Sequence, residues 1–132
     1  MEIKIDITDQ RVAEVLNGAL DPGCPYSAYW CSVEGYREPP ALTFRSDEKE
    51  VYRYVDFPLN EGGAVRIMEH GGNRVGPVYE LTREKLHEGL RLMLDPAKCP
   101  ARHFADILTE SDDAETSDVL LQLSLLGEIR YG

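Results

Sequence analysis

The chain opens on a two-residue alternation: in EIKIDI, Ile3, Ile5 and Ile7 are separated by Lys4 and Asp6, with Glu2 in front. That period predicts a half-buried strand. From Thr8 the period changes. Val12, Val15, Leu16, Ala19 and Leu20 share one helical face, so a helix is expected that Thr8 caps and Asp21, Pro22 and Gly23 stop. Alternation returns in SAYWCSVEGY, with Tyr29, Cys31 and Val33 opposite Ala28, Trp30 and Ser32. It returns again in EVYRYVDF, with Val51, Arg53 and Val55 opposite Tyr52 and Tyr54. Both segments read as strands. Between them, REPPALTFRSDEKE carries paired prolines and a charge cluster, which suit a surface connection.

GAVRIMEH and GPVYELT predict two further strands, joined as a hairpin through GGNRVG, whose glycines and asparagine can take the left-handed conformation of a tight reversal. Thr82 then caps a helix with Leu86, Leu90, Met93 and Leu94 on one face, ended by Asp95 and Pro96. A short helix from Pro100 is expected to turn Phe104, Ile107 and Leu108 inward. In DDAE, Asp112 and Glu115 have capping-box spacing ahead of Val119, Leu120, Leu123 and Leu126, with Gly127 as the stop. The closing EIRY alternates again and predicts a return to the sheet as an edge strand. These elements predict a single α+β domain over residues 1–132, with an antiparallel or mixed sheet of about five strands packed with three or four helices.

Composition supports one folded domain: 42% of the 132 residues are hydrophobic and 29% charged. The polar first residues do not resemble a signal peptide, and no apolar run reaches transmembrane length, so a cytoplasmic location is expected. Charge adds a constraint, because 24 acidic against 14 basic residues give a net charge of −10. Such a surface repels phosphate backbones, which argues against direct nucleic-acid binding and suits a basic protein partner. Part of the acidity lies in TESDDAETSD, where Glu110, Asp112, Asp113, Glu115 and Asp118 gather at a helix start. Helix-dipole stabilisation explains that placement first, and a binding role second.

Candidate chemistry is confined to the thiols and the aromatic segments. Cys24, Cys31 and Cys99 are an odd set and read as free thiols. Six residues separate Cys24 from Cys31, a poor zinc spacing, and no metal or other cofactor is expected. Cys99 and His103 stand one helical turn apart, with Asp106 beyond them, and offer a nucleophile and base if the fold aligns them. Trp30, Tyr52 and Tyr54 can share a sheet face, read as covered core first and as an open contact surface with Tyr29 second.

The order of the Ile-rich strand, TDQRVAEVLNGAL, YSAYW, YELTREKLHEGLRLML and DVLLQLSLLGEIRYG resembles small uncharacterised proteins of bacteriophages and related mobile elements. The resemblance carries no catalytic signature. It implies a non-enzymatic accessory protein that binds a host protein, in the manner of inhibitors of host defence such as anti-CRISPR proteins, through the aromatic or acidic surface. A small cysteine-dependent enzyme and a homo-oligomer that sequesters a small ligand are the alternatives.

Overall fold

The computed structural model describes residues 6–47, 53–71 and 74–132, the side chains of Arg53 and Arg74 excepted. Its elements in chain order are α1 (Asp9–Leu20), α2 (Ser27–Trp30), β1 (Cys31–Arg37), a 3-10 helix (Arg53–Leu59), β2 (Ala64–Gly71), β3 (Arg74–Leu81), α3 (Arg83–Met93), α4 (Ala101–Leu108) and α5 (Ala114–Leu126). This is the expected α+β class, with a smaller sheet and more helix. The sheet has three antiparallel strands in the order β1-β2-β3 among the described residues.

α5 is the axis of the fold. Every residue from Thr116 to Leu125 is buried, so neighbours cover all of its faces. Leu121 and Leu125 join Leu16 of α1, Trp30 of α2, Ile67 of β2 and Leu81 of β3 in one core; Val119, Leu120 and Leu123 join Met93, Phe104 and Ile107 in a second. Asp113 caps α5 by accepting from the Thr116 amide at 2.9 Å, and Gly127 ends it in the left-handed conformation at φ 74°. The cap therefore lies one residue beyond Asp112, whose carboxylate pairs with Arg11 instead. The caps predicted at Thr8 and Thr82 are present, their hydroxyls accepting from the amides of Arg11 and Lys85.

α3 meets α5 closely at Gly89. A Cβ there would overlap the Ser124 hydroxyl and lie 3.0 Å from the Ser124 Cα. Gly89→Ala should accordingly destabilise the protein by about 1–3 kcal/mol through overpacking, although alanine is the better helix former by about 1 kcal/mol. Chemical denaturation checks the sign; a more stable variant would mean that the two helices separate freely.

Three expected elements differ, and a fourth lies largely outside the described residues. The first strand falls largely on residues 1–5, outside the described residues; Asp6 to Thr8 are not in a strand, and Ile7 packs against both cores. SAYWCSVEGY is split, with Ser27–Trp30 forming one helical turn before β1 starts at Cys31 and follows the expected strand from there. Trp30 and Cys31 are consecutive and both buried, which a two-residue alternation cannot produce. In place of the expected strand at EVYRYVDF stands the 3-10 helix, and Tyr52 lies outside the described residues. Val55 through Asn60 are buried without alternation, and Pro58 has no N–H for a ladder. Asn60 fixes that helix against the preceding connection: its Oδ1 accepts from Thr43 and Phe44 amides at 2.9 and 2.8 Å, and its Nδ2 donates to the Phe44 and Asp56 carbonyls. Finally, Glu128–Tyr131 is not an edge strand but an irregular tail.

The hairpin of β2 and β3 forms as expected, with Met68 opposite Val78 and Ile67 opposite Tyr79. Ile67 and Leu81 face the core, while Val78 is exposed, so one sheet face is buried and the other faces solvent. Phe104 and Ile107 of α4 are buried as predicted, but Leu108 is exposed.

Candidate functional site

The segment CPYSAYWC is held by bonds that leave its tyrosines outside. The Ser27 hydroxyl donates to the Ala19 carbonyl at the end of α1, the Ala28 amide to the Cys24 carbonyl, and the Cys31 amide to the Ser27 carbonyl. One turn of helix is not stable alone. Its anchor is Trp30, fully buried and stacked on Tyr131 with ring centroids 5.2 Å apart and planes inclined by 9°. With Trp30 turned inward, Tyr29 and Tyr26 project outward, 77% and 42% exposed.

Beneath Trp30 runs a chain of buried polar groups. The indole Nε1 donates to Asp118 Oδ1 at 2.7 Å, and Gln122 Nε2 donates to Asp118 Oδ2 at 2.7 Å. Asp118 and Gln122 are one turn apart on α5, so the helix aligns them. Gln122 also binds the tail: its Oε1 accepts from the amides of Arg130 and Tyr131, both at 2.8 Å, and its Nε2 donates to the Tyr131 carbonyl at 2.9 Å. One side-chain amide thus supplies the pairing that a neighbouring strand would have given. The tail in turn reaches Glu69 of β2, which accepts from Arg130 at 2.9 Å, from Tyr79 at 2.9 Å and from the Tyr131 hydroxyl.

The two carboxyl groups of this chain titrate in opposite directions. Donation from the Tyr131 hydroxyl, reinforced by Tyr79 and Arg130, holds Glu69 below the usual glutamate value. Burial raises Asp118 above the usual aspartate value, against the lowering by its bonds to Trp30 and Gln122. Asp118 lines a cleft of about 410 Å³ together with Pro25, Tyr26, Tyr29, Arg130 and Tyr131. A second cleft, of about 530 Å³, opens between the end of α1 and the sheet, with Leu20, Cys31, Tyr54, Ile67 and His70 among its walls.

The thiols are placed for packing. All three cysteines are free and buried. Cys31 donates to the Ser27 carbonyl, and burial, with Asp118, Cys24 and Glu69 adding to it, pushes its thiol up to about 12. Burial likewise raises Cys99, whose sulfur donates to the Pro100 carbonyl. His103 is directed elsewhere, its Nδ1 lying 3.0 Å from the Thr116 hydroxyl, and burial lowers its pKa. That hydroxyl also approaches Asp106 at 3.5 Å, so histidine and aspartate meet through Thr116. A nucleophilic cysteine needs a lowered pKa, and these environments do the opposite. Among the described residues no group of three His, Cys, Asp or Glu is placed to hold a metal ion.

The acidic helix start is occupied by its own chain. Asp112 pairs with Arg11, Glu115 with Arg102 at 2.8 Å, Asp113 caps α5, and Asp118 is buried under Trp30. Glu110 alone of the five is fully at the surface without such a bond described, in the turn between α4 and α5 at φ 56°. Tyr54 stacks on Tyr36, ring centroids 5.9 Å apart, and packs against the core cluster that holds Trp30. Glu69, Gln122, Arg130 and Tyr131 were not anticipated as a cluster. A visible signal existed for part of it: Asp118 and Gln122 interrupt the apolar run of α5 with one-turn spacing.

No helix of the described residues is long and apolar enough to cross a membrane. Compared with family models, with curated proteins and with solved structures, the chain matches none.

Proposed function

We propose that this protein is a non-enzymatic binding module that engages another protein through the surface formed by Tyr26 and Tyr29. The supporting observation is the pairing of neighbours on α2: Trp30 is fully buried and hydrogen-bonded, and Tyr29 beside it is 77% exposed. A tyrosine carried on an anchored turn offers contact area at small entropic cost, and tyrosine dominates interface energetics. The net charge of −10 favours a partner with a basic surface. The order of elements read from the sequence, taken as resembling bacteriophage proteins, suggests a host protein, including a component of host defence, as the proposed partner. Raised thiol pKa values weigh against the cysteine-dependent alternative.

The test is recovery of partners from bacterial lysate with tagged protein, followed by affinity measurements on the purified pair. Tyr29→Ala should leave stability within about 0.5 kcal/mol and weaken the partner by about 2 kcal/mol, roughly thirtyfold. The opposite pattern, full binding by Tyr29→Ala with action lost in Cys31→Ser or Cys99→Ser, would favour thiol chemistry.

A further inference from the structure

The cleft behind Tyr29 has a composition that selects its ligand. Its walls are aromatic, from Tyr26, Tyr29 and Tyr131, and Asp118, a residue only 4% exposed, is among the residues that line it. Both oxygens of Asp118 accept from neutral donors, the Trp30 indole and the Gln122 amide, an arrangement that fits the ionised form. Among the described residues no lysine, arginine or histidine is paired with it. A buried carboxylate without a counter-charge is costly, and burial accordingly raises its pKa.

The one cation among the described residues lining the cleft, Arg130, is committed elsewhere. It lies 2.9 Å from Glu69 and 3.7 Å from Glu128, so two carboxylates already share this guanidinium, and Asp118 of the same cleft is a third acidic group that it does not pair with. The local field therefore favours a further positive charge, and tyrosine faces attract cations through their quadrupoles. We propose that this cleft receives a lysine or arginine side chain of the partner protein, with Asp118 as its counter-charge and Tyr26, Tyr29 and Tyr131 as its walls. This deepens the protein-binding reading and rests on it. It assigns Tyr29 a dual part, as exposed contact and as one side of the cation site.

The chain's single tryptophan reports on the site, because its indole N–H is bonded to Asp118. The full chain is titrated with N-acetyl-lysine amide, N-acetyl-arginine amide and neutral N-acetyl-norleucine amide, following the Trp30 indole resonance by NMR. Saturable shifts are expected with a cationic probe and not with norleucine, weakened about tenfold by Asp118→Asn and by Tyr29→Leu. Tyr29→Leu changes an exposed side chain and remains informative even where Asp118→Asn loosens the fold. Equal shifts with norleucine, or no saturable shift with either cation, overturn the proposal. A purified partner separates the two levels: binding that needs Tyr29 yet is unaffected by Asp118→Asn removes the cation site and leaves the protein-binding reading standing. Binding indifferent to both substitutions overturns both.

Discussion

Gln122→Leu should lower the stability of the protein by about 3–5 kcal/mol, one of the two largest losses expected of any single substitution here. Leucine matches the apolar surroundings of α5 and approximates the volume, so the cost is not a cavity. It arises because the glutamine is fully buried and serves Asp118, the Tyr131 carbonyl and the amides of Arg130 and Tyr131 at once. Removing the side-chain amide leaves the buried Asp118 with one donor fewer and three part-buried backbone groups of Arg130 and Tyr131 without their partner, each costing about 1–3 kcal/mol unless water reaches it. Urea denaturation followed by Trp30 fluorescence gives the magnitude, and amide exchange at Arg130 and Tyr131 locates it. A loss below about 1 kcal/mol would mean that the tail is held by Glu69 and the Trp30–Tyr131 stack without the glutamine.

Trp30→Ala should cost a comparable 3–5 kcal/mol, roughly 10–20 °C in melting temperature for a chain of this size. Two effects combine: a cavity in the core shared with Leu16, Ile67 and Leu81, and an Asp118 oxygen that loses its indole donor. Trp30→Phe separates them. It retains most of the packing and forfeits the bond to Asp118, and a loss of about 1–3 kcal/mol is expected. Thermal unfolding followed by far-ultraviolet circular dichroism measures both variants without needing the tryptophan. Equal losses in the two would place the whole contribution of Trp30 in its hydrogen bond, contrary to its full burial.

The helices were legible because their signals are local. Thr8 and Thr82 cap where their side chains predict, and Val12, Val15, Leu16 and Leu20 share the buried face that their spacing specifies. The β2–β3 hairpin was legible for the same reason, with alternation on both sides of a glycine-rich reversal. The mistaken strands all share a cause. SAYWCSVEGY, EVYRYVDF and EIRY each offer only two or three apolar positions to the alternation, too few to distinguish a strand from a helical turn or an irregular segment. Side-chain bonds to a neighbouring segment decided each case: Ser27 to Ala19, Asn60 to Phe44, and Gln122 to Tyr131.

The candidate site was half legible. The unusual density of aromatic residues drew notice to Tyr29 and Trp30, and the structure divides their parts, burying one and exposing the other. The acidic helix start was visible as a cluster, but its pairing with Arg11 and Arg102 depends on α1 and α4 packing beside α5, which no local pattern encodes. Glu69, Arg130 and Tyr131 come from a strand and a tail about sixty residues apart, and their meeting is a product of the finished fold.

The most direct test of the central claim, that α2 presents the binding surface, is hydrogen–deuterium exchange of the full chain alone and in complex with its purified partner. Protection on binding is predicted for Tyr26 to Trp30 and for Arg130 and Tyr131, with no change at Glu110 to Asp113. Protection confined to the acidic helix start, or to the open face of the sheet around Met68 and Val78, would contradict it.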